Sequence, residues 1–131
     1  MREIKFRAWN KMECKMYYKP YARDEWTTEY QPLNGVLQSI KKDSEYWEPL
    51  MQYIGLKDKN GKDIYEGDIL EFWPLEKYNK FNLIGKVEFY KYETRFRIVE
   101  KIGLGESFWG FSQCEKFYIV GNIYENPELL N

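Results

Sequence analysis

Residues Gly55 to Phe72 read GLKDKNGKDIYEGDILEF, and their turn chemistry decides the fold class. Asn60-Gly61 is a strong signal for a two-residue hairpin loop. That loop, however, would set Lys59 against Lys62 and Asp58 against Asp63. A three-residue loop of Lys59, Asn60 and Gly61, with Gly61 in the left-handed conformation of a G1 bulge, moves the register by one. It sets Asp58 against Lys62, Lys57 against Asp63 and Leu56 against Ile64. Matched cross-strand pairs contribute about 0.2–1 kcal/mol each and like charges oppose pairing, so the three-residue loop is expected. Asp58 also suits the first position of a type I turn. Glu66-Gly67 makes the next turn, and Asp68 to Phe72 leaves it as a strand.

Outward from this hairpin the pattern stays strand-like. Near the N-terminus, Ile4, Phe6 and Ala8 alternate with Lys5, Arg7 and Trp9, the period of a half-buried strand. Asn10 and Lys11 interrupt it, and Cys14, Met16 and Tyr18 resume it, so an N-terminal hairpin is expected. Residues 20–48 show no sustained period. A helical turn from Asp24 to Tyr30, capped by Asp24, fits there. Residues 73–82 are a polar loop. Gly85 to Tyr90 and Arg95 to Val99 alternate as a further hairpin. Gly103 to Phe117 is ambiguous between loop and short helix. Tyr118 to Ile123 reads as a buried strand, and Asn126-Pro127 opens a terminal helical turn carrying Leu129 and Leu130. The expectation is one domain over 1–131, mainly β (β-rich α+β): a small barrel-like antiparallel sheet built from hairpins, with short helical segments.

The 131 residues suffice for a core without staples. Aromatic residues make up 19% of the chain, well above what a core of this size needs, which points to aromatic interfaces. No apolar run is long enough for a membrane helix and the N-terminus lacks a leader pattern, so no membrane partner and a cytoplasmic setting are expected. Charge is uneven. Residues 1–23 carry seven Lys/Arg against two acids, whereas residues 24–80 carry seven against twelve. Such complementary regions suit neutralisation within the fold or between subunits.

The chain has no histidine. That removes the usual general base near neutral pH and the commonest zinc ligand, and Cys14 and Cys114 alone cannot make a structural zinc site. Both cysteines are expected as half-buried thiols. The run from Asp58 to Asp63 echoes a calcium loop, but Gly61 stands at the wrong position and the flanks are strands. Glu66 and Asp68 are separated by a turn glycine, which breaks the geometry of a catalytic carboxylate pair. Gly103, Gly105 and Gly110 lack phosphate-loop spacing, and Ser107 and Ser112 lack a histidine partner. No catalytic, metal or cofactor residues are expected. One interaction face does stand out. Lys5, Arg7, Trp9, Lys15 and Tyr17 combine cations with rings, a set suited either to a protein partner or to single-stranded nucleic acid. The slightly acidic chain favours protein.

Three blocks, REIKFRAWN at 2–10, MQYIGLKDKNGKDIYEGDILEF at 51–72 and VGNIYENPELL at 120–130, resemble the YopX family of small proteins encoded by bacteriophages and prophages. The resemblance implies a phage or prophage origin, the cytoplasm of a bacterial host and a β-rich fold. It supplies no reaction and no catalytic residues. The combined expectation is a non-enzymatic phage accessory protein, self-associating as a homo-oligomer or binding a phage or host protein, with single-strand nucleic-acid binding as the alternative.

Overall fold

The computed structural model describes residues 3–18, 45–79 and 81–131. They fall into two compact units, Met1–Gln52 and Tyr53–Asn131. The expected helical turn from Asp24 to Tyr30 lies outside the described residues. The fold is mostly β, with antiparallel sheets, one of them curled into a half-barrel, and few short helices, in agreement with the sequence. Among the described residues, no helix is long and apolar enough to cross a membrane.

In the first unit, β1 (Phe6–Asn10) pairs with β2 (Lys15–Tyr17) in the register Ala8–Tyr17, Trp9–Met16 and Asn10–Lys15. Asn10 builds the connecting loop: its side-chain oxygen accepts the N–H groups of Met12 and Glu13 at 3.0 and 2.9 Å, an Asx turn. On its other side β1 meets the chain returning from residue 46. Tyr46 accepts the Lys11 N–H at 2.7 Å, Trp9 accepts that of Glu48 at 3.1 Å, and Arg7 lies opposite Met51. A central strand buried from Arg7 to Asn10 results, rather than the half-buried one its alternation suggests.

The second unit contains most of β3 (Met51–Lys57), β4 (Asp63–Tyr65) and a five-stranded antiparallel sheet. The sheet consists of β5 (Asp68–Pro74), β6 (Leu83–Tyr90), β7 (Arg95–Ile102), β8 (Gly105–Trp109) and β9 (Cys114–Asn122), in the order β8-β7-β6-β5-β9. Short 3-10 turns occupy Phe111–Gln113 and Pro127–Leu130.

The β3–β4 loop takes the three-residue form. Lys57 lies opposite Asp63, the Asp58 N–H donates to the Lys62 carbonyl at 2.8 Å, and Gly61 donates to the Asp58 carbonyl at 3.0 Å. Gly61 has φ +80°, a conformation that side chains with a Cβ resist. Lys57 and Asp63 form an ion pair at 3.0 Å. The expected Leu56–Ile64 pair is absent. The register shifts between Lys57 and Tyr53, which lies opposite Tyr65, with Gly55 in between at φ 91°. This bulge lets both Ile54 and Ile64 reach the core and turns Leu56 outward.

The core consists of Ile54, Ile64, Leu70, Phe72, Val87 and Ile98, ringed by Phe96, Trp109, Phe117 and Ile119 among others. Each such fully buried side chain contributes about 1.5–3 kcal/mol. Backbones approach closely at Gly85. A Cβ there would lie 2.7 Å from both the Ile98 side chain and the Val99 carbonyl, so β6 and β7 pack around a residue without one. The β6–β7 hairpin is as expected, with Glu88 opposite Arg97 and Phe89 opposite Phe96. The ambiguous stretch from Gly103 to Phe117 resolves into a strand, a 3-10 turn and the start of β9. β9 itself is mostly half-buried, not the buried strand read from its apolar run. The terminal turn has Pro127 in its first turn and Asn126 at its cap, as expected. The Asn126 side chain, however, accepts the Asn122 N–H at 3.3 Å instead of capping the turn.

Candidate interaction surfaces

The five residues singled out in the N-terminal hairpin do not share a face. The four-residue loop pairs odd-numbered positions of β1 with even-numbered positions of β2. Arg7 and Trp9 therefore stand with Met16 and Tyr18, whereas Lys15 and Tyr17 stand with Ala8. An odd-membered loop would have joined them; the Asn10 turn fixes an even one. Arg7 is only 2% exposed and Trp9 8%, so neither is presented to solvent. The Arg7 guanidinium lies 5.9 Å from the Tyr18 ring. Lys5 pairs with Glu3 at 3.4 Å, and Lys15 lies 5.0 Å from the Tyr17 ring, which meets Trp47 edge-on at 5.4 Å. The Tyr17 hydroxyl donates to Glu13, and that carboxylate pushes the phenol's pKa above its ordinary value. A stacking platform for single-stranded nucleic acid needs these cations and rings together and exposed. Here they are divided and partly buried.

The five-stranded sheet offers a clearer surface, visible in the contrast between its two edges. Along β9, two outward backbone groups are occupied. The Lys59 N–H donates to the Phe117 carbonyl at 3.0 Å, and the Ile119 N–H donates to the Asp58 carboxylate at 3.1 Å. The same buried carboxylate accepts the N–H groups of Asn60 and Lys62, each at 2.9 Å. Asp58 therefore caps the loop and covers an edge at once. Three backbone N–H groups thus converge on this one carboxylate, a turn and edge role rather than the calcium loop its sequence context echoes.

Along β8 nothing similar is found among the described residues. Gly103, at φ 55°, takes the first position of a two-residue loop, and Ile102 lies opposite Gly105. Counting hydrogen-bonded and non-bonded pairs from that loop leaves the N–H and C=O of Glu106 and Phe108 facing away from β7. Around this bare edge, Ile102, Leu104 and Phe108 are exposed, Leu104 fully. One face is stiffened by Arg97, whose guanidinium lies 3.8 Å from the ring centroids of both Tyr90 and Phe108 while its Nε donates to Glu88 at 2.7 Å. On the other face, Trp109 donates to Glu100 at 3.2 Å. The sequence reading missed this edge because three glycines masked a five-residue strand. The signal was there: a glycine-first pair, Gly103-Leu104, flanked by Lys101 and Glu106, which lie opposite one another.

Cys14 is exposed, at φ 51° in the hairpin loop, rather than half-buried. Cys114 is half-buried as expected, and burial pushes its thiol up to about 11.

Comparison with known proteins adds lineage. No curated protein sequence matches the chain. The crystal structure of protein EF1440 from Enterococcus faecalis is similar over the whole of both chains, with a TM-score of 0.61 and 29% sequence identity. The family model described as YopX protein matches residues 5–131. That span takes in the N-terminal hairpin, the Asp58 loop, the five-stranded sheet and the terminal 3-10 turn, and on it this chain belongs to the YopX family.

Proposed function

We propose that this protein is a phage- or prophage-encoded accessory protein of the bacterial cytoplasm that acts by binding protein, first of all a second copy of itself, and not by catalysis. The observation that carries this reading is the unequal treatment of the two sheet edges: β9 is met by Asp58 and Lys59, whereas β8, beside exposed Ile102, Leu104 and Phe108, has no such cover among the described residues. An uncovered, apolar edge is ordinarily blunted with charge or a bulge unless it has a partner.

The edge is also self-complementary. Two copies of β8 related by a two-fold axis through Ser107 place Glu106 of one opposite Phe108 of the other. The outward N–H and C=O groups of both then meet in hydrogen-bonded pairs. No like charges oppose each other in that register. The rest of the chemistry is consistent with a binding role, because a chain without histidine has few routes to acid–base or nucleophilic work at neutral pH.

Light scattering across a concentration series tests the reading. The expected result is a dimer or larger species at high micromolar concentration, converted to monomer by Phe108→Lys or Leu104→Asp. A wild-type monomer at that concentration, or an oligomer indifferent to both substitutions, overturns it.

A further inference from the structure

On the face of the five-stranded sheet that carries Lys86 and Val99, a recess of about 300 Å³ opens between β6, β7, β8 and the terminal 3-10 turn. Val99, only 3% exposed, forms its floor, and Pro127 and Leu130 form an apolar wall. Lys86 stands beside Val99 in the ladder, Lys101 lies two residues further along β7, and Glu106 faces Lys101 from β8. The volume is at the small end of the range for ligand sites.

The cations of this sheet divide sharply. Arg95 pairs with Glu93, Arg97 pairs with Glu88, and Lys116 lies 4.5 Å from the Trp73 ring. Lys86 and Lys101, the two that line the recess, have no ion pair or ring among the described residues. Glu106 lies opposite Lys101 yet forms no ion pair with it. A half-buried ammonium such as Lys86 gains from a bound counter-charge, since burial strips part of its water.

We infer that this recess binds a small organic anion, with a carboxylate or phosphate monoester head between Lys86 and Lys101 and a short apolar body against Val99, Pro127 and Leu130. Among the lining side chains two ammonium groups stand with one carboxylate, and Asn131 completes the rim. All the residues involved belong to one chain, so the site does not depend on self-pairing through β8.

Titration of the full chain with benzoate, phenyl phosphate, acetate and inorganic phosphate, followed by amide chemical shifts, tests the assignment. Benzoate or phenyl phosphate should give saturable shifts centred on Lys86, Val99 and Leu130, with acetate and inorganic phosphate binding more weakly. The tighter of the two aromatic probes identifies the head group as carboxylate or phosphate. Lys86→Gln should weaken binding about tenfold, the loss of one charge-assisted contact. Lys101→Gln, at an exposed position, gives a second reading should the first variant fold poorly. Leu130→Ala should weaken the aromatic probes and leave inorganic phosphate unchanged. Absence of saturable shifts at millimolar probe, or affinity unchanged in both lysine variants, overturns the inference.

Discussion

The two edges of one sheet are finished in opposite ways. β9 ends against a loop whose aspartate and backbone N–H occupy two of its outward groups; β8 has no such cover among the described residues. Both strands are amphipathic, and both carry exposed apolar side chains, Val120 on one and Phe108 on the other. Composition therefore does not distinguish them. The difference lies in where the preceding hairpin, β3–β4, delivers its loop. A sheet edge is a liability only when its backbone is unoccupied. The contrast teaches that a single buried carboxylate, 61 positions from its partner N–H in sequence, decides which side of this sheet is closed.

Removing that carboxylate is the most damaging way to break the contrast. Asp58→Ala deletes the acceptor for three backbone N–H groups, those of Asn60, Lys62 and Ile119. Hydrogen bonds to a charged acceptor are worth about 1.5–3 kcal/mol each, and water recovers part of that for the loop N–H groups, so a loss of about 3 kcal/mol is expected. Urea denaturation measures it. The same variant should associate more readily, because β9 then resembles β8. Wild-type stability in Asp58→Ala would mean that the loop is held by Lys59 and Gly61 alone.

The centre of the sheet sets the scale for both edges. Gly85→Ala forces a methyl into the Val99 carbonyl and the Ile98 side chain, and backbone cannot yield as a flexible side chain would. Overpacking of this kind costs about 2 kcal/mol. A neutral Gly85→Ala would mean that β6 and β7 lie further apart than 2.7 Å contacts allow. Glu106→Pro probes the bare edge from the other direction. A proline on a central strand removes a ladder bond, whereas here the lost N–H faces away from β7. The expected cost is at most about 1 kcal/mol, together with loss of self-association. A cost near that of a mid-sheet proline would show that the N–H of Glu106 has a partner within the chain.

How far the sequence made this legible depended on whether a feature was local. The loop at Asn60-Gly61 was readable because charge pairing and turn geometry act over a few residues. So were the Glu88–Arg97 hairpin and the turn at Pro127. The Leu56–Ile64 pair failed because a bulge at Gly55 answers to the core, which needs both Ile54 and Ile64 inside. The N-terminal face failed on parity. An Asx turn at Asn10 added one residue to the loop and sent Lys15 and Tyr17 to the opposite side from Arg7 and Trp9. Burial of Arg7 was invisible too, since alternation cannot report what covers the second face of a strand. The closing of β9 by Asp58 was the least legible of all, because nothing in residues 58–62 refers to Ile119.

Cys114, the first residue of β9, gives a probe of the covered edge that needs no substitution. Burial raises its thiol from the ordinary 9.0 to about 11, and only the thiolate reacts with alkylating reagents. At pH 8 Cys114 should therefore label slowly, well behind exposed Cys14. Its rate should climb about tenfold per pH unit until the pH approaches its raised pKa. The linkage has a definite sign. A thiol whose pKa rises on folding is favoured in its neutral form, so the contribution is intact below pH 9 and lost as pH climbs toward 11. Mass spectrometry of the labelled protein separates the two cysteines. In Asp58→Ala, loosening of β9 should expose Cys114 and bring its rate toward that of Cys14. Equal rates for the two thiols in the wild type at pH 8 would mean that the β9 side of the sheet is as open as β8, and the distinction between the edges would fall.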